Sequence, residues 1–268
     1  MCPRPKCRSS PARISTEWIP SAASRHSPAI WCGVAAADVT GPRGRFISIE
    51  GGEGAGKSTQ IALLAGALER AGIAVQATRE PGGSPGAEAI RELLLEGEGE
   101  RWDATAEALL LVAARYDHVT RVIAPALAQG VWVVSDRFAD STMAYQGYGR
   151  GVALTDLAAL HSFALGEFSP DLTVILDLPV ETGLARAAAR SAADRFERLD
   201  YAFHERLRHG FQRIAADNPA RCVLIDASGD PQTVHRTVLD AIAHRLGIAV
   251  ASHPDLGRVT HARTEGKP

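Results

Sequence analysis

From residue 46 onward, short runs of apolar side chains alternate with longer stretches that are rich in alanine and leucine. Short, continuously apolar runs are typical of strands that are covered on both faces, and the longer stretches are typical of helices. The pattern predicts strands over residues 46–50, 74–78, 131–135, 172–178 and 222–226. Helices are predicted between them, near residues 57–70, 86–95, 105–129, 155–165, 180–190, 195–217 and 231–246.

Strands that alternate with helices indicate a parallel sheet, because a parallel connection has to cross over the sheet and usually contains a helix. We therefore predict an α/β fold in which a five-stranded parallel sheet is flanked by helices on both faces. Residues 45–247 are predicted to form one domain, since about 200 residues suit a single hydrophobic core. Residues 248–268 have no strong pattern and are expected to be a C-terminal tail.

Residues 1–44 show neither helical nor strand periodicity and are predicted to be a disordered N-terminal extension. Residues 1–45 contain seven arginines and lysines against two acids, without the compact apolar stretch of a secretory signal. This composition leaves two interpretations open, an organelle-targeting peptide and a gene start placed too far upstream. The cytoplasm is the expected location, and organelle targeting is the less favoured alternative.

The overall composition argues against several classes of protein. The chain has 268 residues, with 29 Lys and Arg against 31 Asp and Glu, and so a formal net charge of −2. This balance argues against a dedicated nucleic-acid-binding protein. The apolar runs are far shorter than the roughly 18 residues of a membrane-spanning helix, so no membrane partner is expected. The four cysteines have neither disulfide nor zinc spacing, which suits a reducing compartment.

The first predicted strand leads into Gly51-Gly-Glu-Gly-Ala-Gly-Lys-Ser58, which matches the phosphate-binding pattern G-x-x-x-x-G-K-[ST] between a strand and a helix. Glycines let phosphate oxygens approach backbone N–H groups, and the helix N-terminus adds partial positive charge. Lys57 is predicted to hold the β- and γ-phosphates as a catalytic residue, and Ser58 to offer its hydroxyl to Mg²⁺. The predicted ATP-binding residues are Gly51, Gly52, Glu53, Gly54, Ala55, Gly56, Lys57, Ser58 and Thr59.

Such a P-loop binds a nucleoside triphosphate but leaves the class of protein open. The sequence lacks the base-reading Asn-Lys-x-Asp of signalling GTPases, and Asp136-Arg137 stands where AAA-type and helicase ATPases have paired acids. An arginine at this strand end favours phosphate handling, because a guanidinium binds phosphate through two hydrogen bonds and stays charged. Asp136 either orients Arg137 or binds Mg²⁺ through water, and the sequence does not separate these roles.

Three further segments are more specific: Thr78-Arg-Glu-Pro-Gly-Gly83, Asp136-Arg-Phe-Ala-Asp-Ser-Thr-Met-Ala-Tyr-Gln-Gly147, and the arginine-bearing stretch 186–195. With these segments the sequence, from about residue 46 to about residue 246, resembles the thymidylate kinase family. The resemblance implies the P-loop NTPase fold of nucleoside monophosphate kinases, ATP and dTMP as substrates, Mg²⁺ as cofactor, and a homodimer. It implies transfer of the ATP γ-phosphoryl group to dTMP, giving ADP and dTDP for dTTP synthesis.

The resemblance also implies which residues bind the monophosphate. Arg137 would clamp the acceptor phosphate as a catalytic residue, and Glu53 would contact the deoxyribose 3′-hydroxyl. Ser141 and Thr142 would contact the nucleoside. Tyr145 would lie near the 2′ edge of the sugar, where its ring disfavours ribonucleotides.

The stretch Leu109-Leu-Leu-Val-Ala-Ala-Arg115 is apolar nearly all round, so Arg115 would be buried and unpaired without a ligand or an acid. The family uses the matching arginine on the thymine carbonyl. Four residues earlier it typically has a phenylalanine that stacks on the base, and here that position is Leu111. Either neighbouring aromatic side chains compensate, or the base binds more weakly. Arg79 would make a second phosphate or base contact.

In this family the catalytic arginine lies either in the P-loop or in a LID segment. The P-loop here has none, so the LID, predicted around residues 183–196, is expected to supply it, Arg190 first and Arg186 next. The acceptor needs no general base, because a phosphate monoester has a second pKa of about 6 and is mostly a dianion at neutral pH. Cations are needed instead, to offset the repulsion between two polyanions.

Two other functions remain open on the sequence alone. A related P-loop kinase acting on another nucleoside or deoxynucleoside monophosphate would share the P-loop, but it is not expected to contain both T-R-E-P-G-G and A-Y-Q-G. A non-catalytic P-loop module would bind nucleotide without transferring a phosphoryl group.

Overall fold

The computed structural model describes residues 43–95, 101–189, 195–196 and 199–248. Within them lies a five-stranded parallel sheet of order β2-β3-β1-β4-β5. Its strands are β1 (Phe46–Gly51), β2 (Val75–Arg79), β3 (Trp132–Asp136), β4 (Leu172–Asp177) and β5 (Cys222–Asp226). The register places Phe46 opposite Val133 and Ile47 opposite Leu172. All the predicted strands are confirmed to within one residue at either end, as is the predicted fold class.

The described helices cover both faces of the sheet. They are α1 (Lys57–Arg70), α2 (Pro85–Leu95), α3 (Ala104–His118), α4 (Ala124–Ala128), α5 (Ala139–Thr142), α6 (Leu154–Leu165), α7 (Val180–Ala188), α8 (Tyr201–Asp217) and α9 (Pro231–Leu246). A π-helical segment, Val119–Ile123, joins α3 to α4, so residues 104–128 are helical without a break, as predicted over 105–129. A second π-helical segment, Met143–Gly149, continues α5.

Three helix predictions require correction. The helix predicted over 195–217 begins only at Tyr201, because the Asp200 side chain caps it by accepting a hydrogen bond from the Phe203 N–H at 2.6 Å. The helix predicted over 180–190 ends at Ala188, and Arg190 lies outside the described residues. No helix was expected over residues 139–149, yet that stretch is helical. Residues 144–147 are all buried, so the stretch lacks the polar face by which helices are recognised.

The core follows from the alternation of side chains along the central strands. Ile47 and Ile49 pack on one face with α1 and α9, whereas Phe46 packs on the other with α4, α6 and the π-helical segment that precedes α4. Continuous burial, predicted for every strand, is confirmed only for the strands inside the sheet. It is wrong for β2 and β5, which are half-exposed because each is an edge strand with one neighbour.

Helices on both faces leave the carboxyl ends of the strands open, and ligands of α/β sheets bind at that edge. Here β1 ends in the P-loop, β2 in the residue 80–83 loop and β3 in Arg137. In the part of the chain that the structure describes, no helix combines the length and the apolarity required to cross a membrane.

Candidate active site

The P-loop folds tightly against the start of α7. Gly54 has a φ of 68°, and a Cβ at that position would lie 2.0 Å from the carbonyl oxygen of Gly183. The Lys57 ammonium bends back across the loop and donates to the Gly51 and Gly52 carbonyls at 3.1 and 2.8 Å. Burial lowers the pKa of Lys57, and the Arg137 charge lowers it further. The loop thus holds a buried cation beside its own backbone.

Ser58 and Asp136 place two oxygen ligands next to the P-loop. The Ser58 hydroxyl donates to Asp136 Oδ2 at 3.1 Å, although the two residues belong to different elements. Hydroxyl and carboxylate oxygens are the ligands that Mg²⁺ prefers. The donor set is therefore one that could hold this ion.

Arg137 adopts a φ of 72°, a left-handed conformation that is uncommon for a residue with a side chain. Its guanidinium donates to Glu53 Oε1 at 2.9 Å, to the Gly51 carbonyl at 3.2 Å and to the Ser141 hydroxyl at 3.3 Å. It also lies over the Tyr145 ring, 4.8 Å from the ring centroid. These contacts fix a cation between the P-loop and the residues that follow β3.

Glu53 pairs with the Arg137 guanidinium and Glu50 accepts a hydrogen bond from the next residue, and the pKa values of these two glutamates shift in opposite directions. Burial alone would raise the pKa of Glu53, but the charges of Arg137 and Lys57 and a hydrogen bond from the Tyr145 hydroxyl lower it to about 2. Burial, reinforced by the nearby Asp140 charge, raises the pKa of Glu50 to about 7. Glu50 accepts hydrogen bonds from the Phe138 N–H and from the Ser141 hydroxyl, each at 2.6 Å.

A cleft opens beside Arg137. It is lined by Glu53, Glu80, Pro81, Arg91, Leu95, Leu111, Arg115, Arg137, Phe138, Ser141, Thr142, Tyr145, Gln146 and Phe196. Glu53, which lines the cleft, is also a residue of the P-loop. A molecule in the cleft would therefore lie next to the phosphates of a nucleotide bound to the P-loop.

Arg115 crosses the floor of the cleft with its side chain buried. Its Nε donates to Glu80 at 2.7 Å, and its Nη2 donates to the Phe138 carbonyl at 3.1 Å and to the Thr142 hydroxyl at 2.9 Å. The partner acid that a buried arginine requires is thus Glu80. The Nδ1 atom of His118 lies 3.1 Å from the other carboxylate oxygen of Glu80, within hydrogen-bond distance.

A sequence model for thymidylate kinases matches residues 49–238 of this chain. The chain belongs to the thymidylate kinase family. A curated thymidylate kinase from a Bradyrhizobium species is 57% identical over 213 residues, which cover 78% of this chain and 94% of that protein. One from Caulobacter vibrioides is 56% identical over 206 residues, covering 77% and 99% of the two chains. The crystal structure of thymidylate kinase from Ehrlichia chaffeensis superposes with a TM-score of 0.61 at 35% identity, covering 75% of this chain and 99% of that one.

These comparisons confirm the resemblance on which the site was predicted. In this thymidylate kinase family member, seven of the predicted substrate residues line the cleft: Glu53, Leu111, Arg115, Arg137, Ser141, Thr142 and Tyr145. Arg79 is not among them. Its side chain is 55% exposed and pairs with Glu88 at 3.1 Å, outside the cleft. The role predicted for Arg79 stays a prediction.

The cleft also contains residues that the sequence analysis did not single out. Arg91 lines it and donates to the Pro81 carbonyl at 2.6 Å, so α2 contributes a further cation. Phe196 forms another wall and packs edge-on against Tyr145, with ring centroids 5.6 Å apart. Glu80 could have been predicted as a site residue, because it lies inside the T-R-E-P-G-G segment that the sequence analysis identified as specific. Arg91 does not lie in a segment whose composition marks it, whereas Phe196 is the last residue of the predicted LID.

Of the two predicted LID arginines, the structure describes Arg186. It lies in the last turn of α7, and its guanidinium donates to the Ala227 and Ser228 carbonyls at 3.2 and 3.3 Å. The residue therefore reaches the loop after β5. Arg190, the arginine favoured by the sequence analysis, lies outside the described residues, and its role stays a prediction.

Proposed function

We propose that this member of the thymidylate kinase family transfers the γ-phosphoryl group of ATP to the 5′-phosphate of dTMP, producing ADP and dTDP. One observation carries the proposal: a cleft lined by polar and charged side chains lies beside the P-loop, and Arg137 lines the cleft and donates to the P-loop residues Gly51 and Glu53. Family membership supports the choice of dTMP, since relatives between 54% and 58% identical are thymidylate kinases. It favours this function over a kinase for another monophosphate and over a non-catalytic module.

In this reaction an oxygen of the dTMP phosphate forms a bond to the γ-phosphorus, and the bond from that phosphorus to the β,γ-bridging oxygen breaks, so that ADP leaves. The acceptor phosphate is already nucleophilic as a dianion. The task of the protein is to bring two anions together without water. Arg137 and Arg91 supply cations on the acceptor side, and Lys57 supplies one on the ATP side. The LID arginines Arg190 and Arg186 are proposed to add charge to the transferring group.

The thymidine part of the substrate would occupy the rest of the cleft. Arg115, which Glu80 holds in place, is a buried cation on the floor of the cleft and is suited to bind a carbonyl oxygen of the base. Thr142 and Ser141 add hydroxyls, and Glu53 is placed as an acceptor for the 3′-hydroxyl. Burial raises the pKa of Tyr145 well above its usual range, so its hydroxyl stays protonated beside the sugar.

Mg²⁺ belongs to the proposal through Ser58 and Asp136, whose oxygens would hold it directly or through water. When bound, the ion neutralises charge on the ATP phosphates. The sequence left Asp136 two roles. The ion pair of Arg137 with Glu53 and the hydrogen bond of Asp136 with Ser58 support the metal role rather than the orientation of Arg137.

A homodimer is proposed from exposed apolar residues on two packed helices. Leu109 and Tyr116 are two turns apart on α3 and are 51% and 47% exposed, and Phe163 on α6 is 90% exposed. Exposed apolar side chains grouped on one surface suit association with another chain. The cytoplasm remains the proposed location, from the cysteine usage.

A panel of nucleoside monophosphates tests this function. The purified full chain is given ATP and Mg²⁺ with dTMP, dUMP, dCMP, UMP or dGMP, and release of ADP is followed by a coupled assay. We expect dTMP to have the highest kcat/KM. Preference for another monophosphate would support the related kinase, and nucleotide binding without ADP release would support the non-catalytic module.

A further inference from the structure

His118 is the last residue of α3, and its side chain is completely buried. Both nitrogens of its ring make a close polar contact. Nδ1 lies 3.1 Å from Glu80 Oε1, and Nε2 lies 2.7 Å from the Thr78 hydroxyl. His118 is not among the residues that line the cleft, and the proposed reaction gives it no role. It reaches the cleft through Glu80, which does line it.

The Glu80 carboxylate is held at both of its oxygens. Oε2 accepts a hydrogen bond from Arg115 Nε at 2.7 Å, and Oε1 is the oxygen next to His118 Nδ1. A carboxylate paired with a guanidinium accepts hydrogen bonds, so the His118 ring carries a hydrogen on Nδ1 and donates it to Glu80. A carboxylate that is held at both oxygens cannot rotate freely. Glu80 therefore presents Oε2 to Arg115 in one orientation.

Arg115 lies three residues before His118 on α3, so the two side chains share one face of the helix. Its hydrogen bonds to Glu80, to the Phe138 carbonyl and to the Thr142 hydroxyl use Nε and Nη2, and none of them uses Nη1. Because a guanidinium is planar and rigid, an atom that fixes Nε also fixes the direction of Nη1. The orientation of Arg115 thus depends on the orientation of Glu80.

The residues that follow β2 are docked on the end of α3 by two separate contacts. At Gly83 an added Cβ would lie 2.4 Å from His118 Nε2, so the chain there packs directly against the ring. One residue further on, the Ser84 hydroxyl donates to Asp117 Oδ2 at 2.7 Å. Of these two contacts, the one at His118 leads on to Arg115 through Glu80. The Ser84 contact provides a matched control for docking alone.

We propose that His118 is a positioning residue: by holding one oxygen of Glu80, it fixes the carboxylate that orients the Arg115 guanidinium for the base of the substrate. The inference rests on the proposed function, because it takes Arg115 as the residue that binds a carbonyl of the base. Its effect should be confined to the base. Binding of the sugar and phosphate, assigned to Glu53 and Arg137, should not depend on His118.

The test measures dissociation constants for the full chain by calorimetry, with dTMP and with 2-deoxyribose 5-phosphate, which lacks the base. His118→Leu and His118→Asn leave nearly the same space, but only asparagine keeps an N–H near the position of Nδ1. We expect His118→Leu to weaken dTMP by about tenfold and to leave the sugar phosphate unchanged. His118→Asn should recover most of the loss. Ser84→Ala should keep the wild-type affinity for both ligands.

Two further measurements separate positioning from a general structural role. In an Arg115→Met background, His118→Leu should have no further effect on dTMP affinity, because the two residues act through one contact. In steady-state kinetics of the single variant, KM for dTMP should rise, whereas kcat at saturating dTMP should stay within about twofold of the wild type.

Equal weakening of dTMP and the sugar phosphate, or an unchanged affinity for dTMP, would overturn the inference. So would a loss in His118→Asn as large as in His118→Leu, or an undiminished effect in the Arg115→Met background. If His118→Leu does not fold, His118→Phe decides the same comparison, because it refills the ring volume without an N–H. Failure of both variants to fold would also overturn the inference, since His118 would then be required for the fold itself. The proposed function fails by a different result, the absence of dTMP turnover in the wild type.

Discussion

Arg137 has an uncommon backbone conformation and a side chain that makes several contacts. A left-handed φ in a non-glycine residue costs about 1–2 kcal/mol, which the surroundings must offset. Its N–H donates to the Ile49 carbonyl at 3.0 Å, and the next residue, Phe138, donates to Glu50 at 2.6 Å. Backbone and guanidinium are thus both held, as the proposed contact with an acceptor phosphate requires.

Arg137→Ala tests that assignment. Removing the cation should lower kcat for dTMP by at least about a hundredfold, because the repulsion between the two substrates would no longer be offset at this position. Arg137→Lys should recover only part of the loss, since an ammonium lacks the two-pronged geometry. The rates are measured by ADP release at saturating ATP, and melting temperatures check the fold. A near-normal rate in Arg137→Ala would contradict the role.

Glu50 predicts a dependence of stability on pH. Its pKa is raised from 4.5 to about 7 in the folded protein, so over that interval the folded state binds more protons than the unfolded state. The stability contributed by protonated Glu50 is complete below about pH 4.5 and is lost as the pH rises through about 7. The whole effect is at most about 3 kcal/mol.

Chemical denaturation of the wild type and of Glu50→Gln, at a series of pH values across that interval, measures the effect. The free energy of unfolding of the wild type should fall with rising pH relative to that of the variant. Parallel pH profiles for the two proteins would show that Glu50 does not titrate in this range.

At the scale of elements, the P-loop is constrained by α7 as well as by its own sequence. Gly54→Ala would force a Cβ to 2.0 Å from the Gly183 carbonyl and impose a left-handed φ on alanine. We expect a loss of at least about 2 kcal/mol of stability. Gly52→Ala is the matched control, because no atom lies within 4 Å of its added Cβ. Thermal unfolding measures the stability of both variants. Equal stability of Gly54→Ala and Gly52→Ala would contradict the constraint that α7 places on the P-loop.

Prediction from sequence succeeded for elements with a strong local pattern and failed where contacts between residues far apart in the chain determine the structure. The strands and the P-loop are local, and they were located closely. The helical stretch 139–149 was missed because most of its residues are buried, which leaves it without an exposed polar face. Glu80 and Glu107 contact partners far along the chain, Arg115 and Gln146, which only the fold brings together. The family resemblance, rather than periodicity, predicted the substrate residues of the cleft.

At the scale of the whole molecule, the sheet order puts β1 between β3 and β4, so the P-loop lies next to the residues that follow β3. Both proposed substrate sites therefore lie at the carboxyl edge of the sheet, where parallel α/β proteins bind ligands. The apolar residues exposed on α3 and α6, which are Leu109, Tyr116 and Phe163, form the surface that we propose for association with a second copy of the chain.

Leu109→Glu tests the homodimer. A charge on α3 should convert the protein from dimer to monomer, because burying it against the second copy would be unfavourable. Leu224→Glu is the control: Leu224 is 43% exposed on β5, away from α3 and α6, and should leave the dimer intact. Light scattering after gel filtration gives the mass of each. A monomeric wild type, or an unchanged dimer in Leu109→Glu, would contradict the proposed surface.

The central claim is that a phosphoryl group passes from ATP to a nucleotide held by Arg137 in the cleft. Incubation with γ-labelled ATP, Mg²⁺ and dTMP, followed by chromatographic separation, tests it most directly. We expect label in dTDP for the wild type, with ADP formed in equal amount, and label reduced by at least about a hundredfold in Arg137→Ala. Label that remains in ATP or appears as free phosphate, with dTMP unconverted, would contradict it.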